Sequence, residues 1–217
     1  MNKKTSTREN ELSQIAFNTN RKTLIAACDY LELATPDDKS PAGLHAGYSR
    51  IRLTVTDFAG EKPTFLTFFL KPEEIRRLLG DVRWHRQMEL LERKVPYKQE
   101  WAKKKPKEGK VVAEALSISY EPSMGVPWKI SIADGFYASE DAKSPTYTRK
   151  AAKFLTAIEF EDFLCKIVTY LDNWEIVIGA PYMKALHTKL AARFKSERDG
   201  EVVSIPNAGS ANQRRPA

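Results

Sequence analysis

A change of hydrophobic period, which occurs twice along the chain, constrains the fold more than any other feature of the sequence. Between residues 50 and 56, apolar Ile51, Leu53 and Val55 alternate with polar residues, as in a half-buried strand. After an aromatic-rich strand predicted at 64–70, Pro72 and two glutamates mark the start of a helix. Apolar residues then follow at helical spacing: Ile75, Leu78, Leu79 and Val82.

The second half of the chain repeats this order of strands and helix. Strands are predicted at 111–120, 128–133 and 151–160. Asp134-Gly135 is predicted to be a hairpin-type turn, and residues 174–178 a further short strand. Glu161 and Asp162 are expected to open a helix, because acidic residues suit its positive end. Helices are predicted near 72–79, 81–95, 161–171 and 182–195.

Short matches between the halves indicate an internal duplication. Phe65-Leu66-Thr67 matches Phe154-Leu155-Thr156 at an offset of 89, and Glu73-Glu74-Ile75 matches Glu161-Asp162-Phe163 at 88. The sequence therefore predicts an α+β fold in which an antiparallel β-sheet followed by a helix is duplicated. The predicted parts are a flexible N-terminal segment at 1–22, a first sheet-plus-helix unit at 23–95, a basic linker or loop at 96–110, a second unit at 111–195 and a disordered tail at 196–217.

The positive charge of the chain is concentrated. The net charge is +7, and residues 71–110 alone carry thirteen Lys and Arg against seven Asp and Glu. A second patch without acidic residues contains Lys143, Arg149, Lys150 and Lys153. Clustered charge of this kind favours a binding surface for a polyanion over an evenly solvated exterior.

The segment Arg149-Lys150-Ala151-Ala152-Lys153-Phe154 has the basic and small character of a short motif, Lys-Gly-Lys-Ala-Ala-Leu, found on a strand of Whirly-type proteins. With the repeated sheet-then-helix order, the size and the charge, the region from about 23 to 195 resembles these single-stranded-nucleic-acid-binding proteins. The segment lacks the motif's glycine and lies in the second half, and the insert at 96–110 is a further departure. The resemblance implies antiparallel sheets that present basic and aromatic side chains to a flexible strand.

Physical chemistry supports the same function. Lysine and arginine neutralise phosphates, and exposed aromatic rings stack on bases. The predicted nucleic-acid-binding residues are Arg50, Arg52, Trp101, Lys103, Lys104, Lys105, Tyr147, Arg149, Lys150 and Lys153. The prediction is a protein that binds single-stranded DNA or RNA, and the sequence leaves open which of the two.

Residues that would carry chemistry do not form a recognisable pattern in the sequence. His45, His85 and His187 lie far apart and match no metal-ligand spacing. Neither a phosphate-binding P-loop nor a nucleophile elbow occurs, and Cys28 and Cys165 lie in apolar surroundings as reduced cysteines do. We therefore predict a protein that is not an enzyme and holds no cofactor or metal.

The chain has no stretch of about eighteen apolar residues, and its first residues do not form a secretory signal. A cytoplasmic location and no membrane partner are therefore expected. An apolar helical stripe indicates either a homo-oligomer or packing on the protein's own sheet: Met183, Leu186, Leu190 and Phe194.

Two other functions remain open on the sequence alone. One is a protein-binding adaptor or inhibitor, of the kind found in phages or mobile elements, acting on an acidic or nucleic-acid-processing partner. The other is a metal-dependent nuclease, which would need a magnesium site built from Asp134, Glu159, Glu161 and Asp162. Charge at the start of a helix explains Glu161 and Asp162 more simply.

Overall fold

Two four-stranded antiparallel sheets dominate the computed structural model. The structure describes residues 14–36, 44–45, 49–83, 97–107, 110–138 and 144–198. At 36, 44–45, 97–107, 110 and 196–198 it describes the backbone alone. The predicted α+β class is confirmed.

The first sheet has the strand order β1-β2-β5-β6 and is followed by a helix. Its strands are β1 (Gln14–Thr19), β2 (Thr23–Tyr30), β5 (Arg50–Asp57) and β6 (Thr64–Leu70). Two short strands, β3 (Thr35–Pro36) and β4 (Leu44–His45), pair with each other in the β2–β5 connection. The helix α1 (Pro72–Arg83) follows β6 after one residue.

The second sheet has the strand order β10-β9-β8-β7 and is also followed by a helix. Its strands are β7 (Tyr97–Lys107), β8 (Lys110–Tyr120), β9 (Trp128–Tyr137) and β10 (Thr146–Leu155). The helix α2 (Ala157–Trp174) continues through a π-helical segment, Glu175–Gly179, into α3 (Ala180–Arg198).

The chain divides into two compact units. The first, Met1–Glu32 with Tyr48–Asp172, contains both four-stranded sheets, α1 and most of α2. The second, Leu33–Gly47 with Asn173–Ala217, contains the β3–β4 pair and α3. Within the second unit, the hydroxyl of Tyr182 donates a hydrogen bond to the carbonyl oxygen of Ala34 at 2.7 Å.

The hydrogen-bond register repeats between the two sheets. In the first sheet Leu53 pairs with Phe68, and in the second Ile130 pairs with Lys153. A shift of 77 residues carries β5 onto β9, and a shift of 85 carries β6 onto β10 while preserving these pairs. The predicted order of sheet and helix is therefore present in each half. The step from β6 to α1 and the step from β10 to α2 are 85 residues apart, and not 88 or 89 as predicted.

The same offset of 85 matches the buried faces of α1 and α2. The buried residues of α1 are Ile75, Leu78, Leu79 and Val82. Their counterparts in α2 are Phe160, Phe163, Leu164 and Ile167, and all of these are buried. Side chains at this spacing lie on one face of a helix, so each helix presents the same apolar stripe to the core.

Both helices also begin with the same hydrogen bond. The side chain of Glu74 accepts a hydrogen bond from the backbone N–H of Lys71 at 2.7 Å, and Glu159 accepts one from that of Thr156 at 2.8 Å. At α2 the hydroxyl of Thr156 accepts the reciprocal bond from the N–H of Glu159 at 3.2 Å, which completes a capping box. The hydrogen bond from the Thr156 N–H is the main reason that the pKa of Glu159 is lowered below its ordinary value.

Among the described residues, one apolar cluster joins the two sheets and their helices. It includes Ile51, Phe68 and Ile75 from the first half and Ile132 and Phe160 from the second. The hydroxyl of Tyr170 on α2 donates a hydrogen bond to Asp29 near the end of β2, and burial together with that carboxylate raises the pKa of Tyr170 to about 12.

Several predicted boundaries are wrong. The predicted flexible segment 1–22 contains β1, whose Ala16 is buried, and the predicted linker 96–110 contains β7. The strand predicted at 151–160 ends at Leu155, and α2 begins at Ala157, ahead of the predicted start at Glu161. Residues 174–178, predicted as a strand, are helical.

The predicted hairpin turn at Asp134-Gly135 is also wrong, because β9 runs through both residues. A Cβ placed on Gly135 would overlap the carbonyl oxygen of Thr146 on β10. This close approach coincides with an irregular register near Tyr147. Glycine is therefore required here because two backbones approach each other and not because the chain turns.

The remaining helix predictions are confirmed in part. Helix α1 extends through Gly80 to Arg83, beyond the predicted end at 79. The rest of the helix predicted at 81–95 and the tail beyond 198 lie outside the described residues. The predicted last helix, 182–195, lies within α3, where Leu186 and Leu190 are buried and Phe194 is 50% exposed.

Candidate nucleic-acid interface

The outer face of the first sheet brings basic and aromatic side chains together. Side chains alternate along a strand, so Arg50 and Arg52 are on the outer face of β5. The core residues Ile51 and Leu53 are on its inner face. Register places Tyr30 beside Arg50, and Phe69 beside Arg52. We call this surface the sheet-1 face and define it by six side chains: Phe17, Tyr30, Arg50, Arg52, Phe65 and Phe69.

Arg52 is held at the centre of this group. Its guanidinium lies 4.9 Å from the centroid of the Tyr30 ring, and its Nη1 donates a hydrogen bond to the Tyr30 hydroxyl at 2.9 Å. The Tyr30 ring meets the Phe69 ring edge-on, with 5.4 Å between centroids. The charge is therefore fixed against the Tyr30 ring, which itself packs on Phe69, and this reduces the entropy that a ligand contact would cost.

Three aromatic residues of the sheet-1 face are exposed to solvent. Phe17 is 54% exposed, Phe65 59% and Tyr30 46%. The residues between them are small or hydroxylated, such as Ala26, Thr54 and Thr67. Exposed rings grouped on one sheet face are typical of an interaction surface, because they gain nothing from the core.

The two arginines of this face were among the predicted binding residues, but its aromatic residues were not. Phe65 and Phe69 alternate with buried Leu66, Phe68 and Leu70, so their outward orientation could have been read from the period-two pattern of β6. Tyr30 could not be placed in this way, because its position beside Arg50 depends on pairing between residues twenty apart.

The predicted basic patch on β10 is divided by the structure. Arg149 makes a two-pronged ion pair with Asp134 of β9, with Nε to Oδ1 at 3.0 Å, and this interaction raises the pKa of the guanidinium. Its charge is therefore already balanced within the sheet. Tyr147 lies two residues earlier and is 37% exposed.

Lys153 points into the core. Its side chain is 1% exposed, and its Nζ lies 3.4 Å from the carbonyl oxygen of Thr23. Burial lowers the pKa of Lys153, partly offset by the charge of Glu159. An ammonium group in this position cannot reach a phosphate outside the sheet. The prediction that Lys153 binds nucleic acid is therefore wrong.

Lys150 alone of this patch is exposed without an ion pair among the described residues. It lines an open cleft with Lys129 and Phe154. The other predicted residues, Trp101, Lys103, Lys104 and Lys105, lie on β7, where the structure describes the backbone alone. Register pairs Trp101 with Glu114 and Lys103 with Val112.

Within the described ranges, no three His, Cys, Asp or Glu residues are grouped closely enough to hold a metal ion. No helix in the part of the chain that the structure describes is long and apolar enough to cross a membrane. No protein-family model matches the chain, and no curated protein matches its sequence.

Proposed function

We propose that the protein binds single-stranded nucleic acid, DNA or RNA, on the sheet-1 face and performs no chemistry on it. The observation that carries the proposal is the position of Arg52 over the Tyr30 ring, which in turn meets the Phe69 ring edge-on. A flexible strand offers phosphates and unstacked bases together, so a surface of fixed cations and exposed rings suits it. Duplex bases are already stacked and would leave the rings unused.

The balance of forces favours a contribution from both parts of this face. Each base stacked on an aromatic ring stabilises binding by about 1–3 kcal/mol. Each neutralised phosphate of a single strand adds about 0.7 to the slope of log affinity against log salt concentration. Two arginines and several rings are therefore enough for measurable binding that weakens as salt is added.

The repeated sheet-and-helix order supports this proposal, because it is what the resemblance to Whirly-type proteins implies. In those proteins antiparallel sheets present basic and aromatic side chains to a flexible strand. We propose that this chain is Whirly-like in that sense. The proposal applies to the fold and the class of ligand and transfers no individual motif residue.

The test is fluorescence anisotropy of labelled single-stranded 20-mers of DNA and RNA, titrated with the protein over a salt series. The double variant R50Q/R52Q is compared with R77Q/K166Q, which removes two cations from exposed positions on α1 and α2. R50Q/R52Q should lower the salt slope by about 1.4 if both arginines contact phosphate. The control should keep the wild-type slope.

Two results would contradict the proposal. One is no binding of either 20-mer at low salt by folded wild-type protein. The other is binding that R50Q/R52Q and R77Q/K166Q weaken equally, because that would indicate general attraction by net charge and not a defined surface.

A further inference from the structure

An open cleft of about 760 Å³ lies between the β1–β2 turn and the outer face of the second sheet. Its volume is in the range of small-molecule sites in proteins, about 300–1,000 Å³. The cleft combines basic, acidic and aromatic side chains: Arg21, Lys22, Lys129, Lys150, Asp57 and Phe154.

Two of the cations lie on a turn with a fixed backbone. The side-chain oxygen of Asn20 accepts hydrogen bonds from the backbone N–H of Lys22 at 3.0 Å and of Thr23 at 2.8 Å. The carbonyl oxygen of Lys22 accepts another from the N–H of Phe58 at 2.8 Å. The turn therefore holds Arg21 and Lys22 at the cleft without needing a ligand to order its backbone.

The other two cations lie beside an aromatic ring. Lys129 and Phe154 are direct partners on β9 and β10, and the Lys129 ammonium lies 5.2 Å from the ring centroid. Phe154 remains 41% exposed, and Lys150 lies on the same face of β10 four residues earlier. Charge and an accessible apolar surface are therefore next to each other.

The cleft has a charge excess that the described residues do not neutralise. Arg21, Lys22, Lys129 and Lys150 form no ion pair within the described part of the chain, and with Asp57 they leave a formal charge of +3. One oxygen of Asp57 accepts a hydrogen bond from the N–H of Ala59 at 2.8 Å. Such a site attracts an anion of more than one charge.

Two residues of this cleft occupy positions equivalent to two residues of the sheet-1 face. The offsets of 77 and 85 carry the partners Arg52 and Phe69 onto Lys129 and Phe154. Each sheet therefore has a cation on its third strand in sequence beside an aromatic residue near the end of its fourth. The second pair differs from the first in facing a concave cleft with three more cations.

We propose that this cleft binds one nucleotide with a terminal phosphate, the phosphate between the cations and the base against Phe154. A terminal phosphate carries about −1.5 to −2 charges near neutral pH, which complements the cleft better than the single charge of a phosphodiester. A free nucleotide and the 5′-phosphorylated end of a strand both supply this chemistry. Where the ligand is a strand end, the inference rests on the proposed function.

The experiment measures binding of three probes to the full chain by calorimetry: uridine monophosphate and one trinucleotide with either a 5′-phosphate or a 5′-hydroxyl. The phosphorylated trinucleotide should bind at least tenfold more tightly than its hydroxyl form. K22Q/K150Q should abolish this preference, whereas K166Q/K184Q, which changes two exposed helix lysines, should retain it. F154A should weaken both trinucleotides at least fivefold while the phosphate preference persists.

Uridine monophosphate separates the two sources of the ligand. If uridine monophosphate binds and K22Q/K150Q abolishes that binding, the cleft accepts free nucleotides as well as strand ends. If only the phosphorylated trinucleotide binds, the cleft is specific for strand ends. The inference is overturned if the phosphorylated trinucleotide binds no more tightly than its hydroxyl form, or if K22Q/K150Q retains the preference while its melting temperature matches that of wild type.

The 20-mer experiment keeps this result separate from the proposed function. Salt-dependent binding of a 5′-hydroxyl 20-mer that R50Q/R52Q weakens, without any phosphate preference in the trinucleotides, would support the sheet-1 face and overturn the cleft. Phosphate-dependent binding that K22Q/K150Q abolishes, without binding of that 20-mer, would support the cleft and contradict the proposed function.

Discussion

At the scale of single residues, Tyr30 decides whether the sheet-1 face is preorganised. Its hydroxyl and its ring both hold Arg52, and the ring also packs on Phe69. These contacts join β2, β5 and β6, so they depend on long-range register and not on any local sequence pattern. The periodicity of β5 predicted its two outward arginines for this reason, but not the aromatic residues beside them.

Replacing Tyr30 with alanine should weaken binding of a single-stranded 20-mer by about 1–3 kcal/mol, because it removes a stacking ring. Tyr30→Phe keeps the ring and removes one hydrogen-bond partner, so its loss should stay below about 1.5 kcal/mol. Anisotropy at one fixed salt concentration measures both. Equal losses for the two variants would show that the hydroxyl, and not the ring, matters.

Lys153 shows that position on the inward or outward side of a strand decides burial even for a charged residue. It lies between Ala151 and Leu155 on the inward side of β10, and it occupies the position that Phe68 has in the first sheet. Basic composition favoured a binding role, whereas the apolar neighbours two residues away on each side favoured burial. Alternation is the more reliable guide, because side-chain direction is fixed by the backbone.

Lys153→Met should therefore raise the melting temperature and leave nucleic-acid binding unchanged. Methionine has similar length and avoids burying a charge, and a gain of about 1 kcal/mol corresponds to about 2–4 °C for a chain of this size. Calorimetry at neutral pH measures the shift. A lower melting temperature would mean that the contact with the Thr23 carbonyl outweighs the cost of burial.

The pH dependence of this variant follows from the lowered pKa of Lys153. Between the folded-state pKa and the ordinary value of 10.5, the unfolded chain binds more protons at this site than the folded chain. Wild-type stability therefore recovers as pH rises through that window, and the advantage of Lys153→Met should shrink. An advantage independent of pH would show that the charge is not its source.

At the scale of elements, the starts of the two helices show why boundaries are harder to predict than periodicity. The acidic pair Glu161 and Asp162 predicts a start of α2 at 161, but the capping box formed by Thr156 and Glu159 places the start earlier. The spacing Thr-x-x-Glu before an apolar run was present in the sequence. It was hidden because Ala157 and Ile158 also suited continuation of the strand.

Thr156→Ala should lower stability by about 1 kcal/mol, because it removes an N-cap side chain. Glu159→Gln should also lower stability at neutral pH, since the lowered pKa of Glu159 means that the folded state favours its ionised form. That contribution is present above the ordinary carboxyl pKa and is lost as pH falls through the folded-state value. Denaturation at pH 7 and pH 3 should show the difference between wild type and Glu159→Gln narrowing in acid.

Strand β7 illustrates a different limit of sequence patterns. Its residues, rich in lysine, show no apolar alternation, and the structure places them at the edge of the second sheet, paired with β8. Lysine on an edge strand discourages pairing with another chain, so polar composition and strand formation are compatible here. The linker prediction failed because an edge strand can gain its hydrogen bonds from one neighbour alone.

Replacing Lys103, Lys104 and Lys105 together with alanine tests whether β7 also contacts nucleic acid. If all three contact phosphate, the salt slope should fall by about two units. The melting temperature should change little if the lysines serve only as ligand contacts. Trp101→Ala should separately weaken binding by about 1–3 kcal/mol if its ring stacks on a base. Wild-type affinity in both variants would leave the sheet-1 face as the binding surface.

At the scale of the whole molecule, the repeated order of sheet and helix was predictable in outline, but the alignment of the two halves was not. The short sequence matches gave offsets of 88 and 89, whereas β6 matches β10 and the helix starts match each other at 85, and β5 matches β9 at 77. The short matches misalign the two halves because matched positions share burial and side-chain direction more than residue type. For example, Phe68 corresponds to Lys153, and Phe65 corresponds to Lys150. The common core of the two sheets was not predicted either, because the basic segment 96–110 suggested two separate units.

The common core predicts that the two sheets unfold together. Phe68 lies in the first sheet, yet the same apolar cluster contains Trp128, Ile132 and Leu155 of the second. Phe68→Ala should leave a cavity that costs about 3–5 kcal/mol, and hydrogen exchange should show this loss equally in β5 and in β9. Phe65→Ala, on the exposed side of the same strand, should change neither rate appreciably. If Phe68→Ala accelerated exchange in the first sheet alone, the sheets would be independent folding units. The repeated register would then describe two domains in contact.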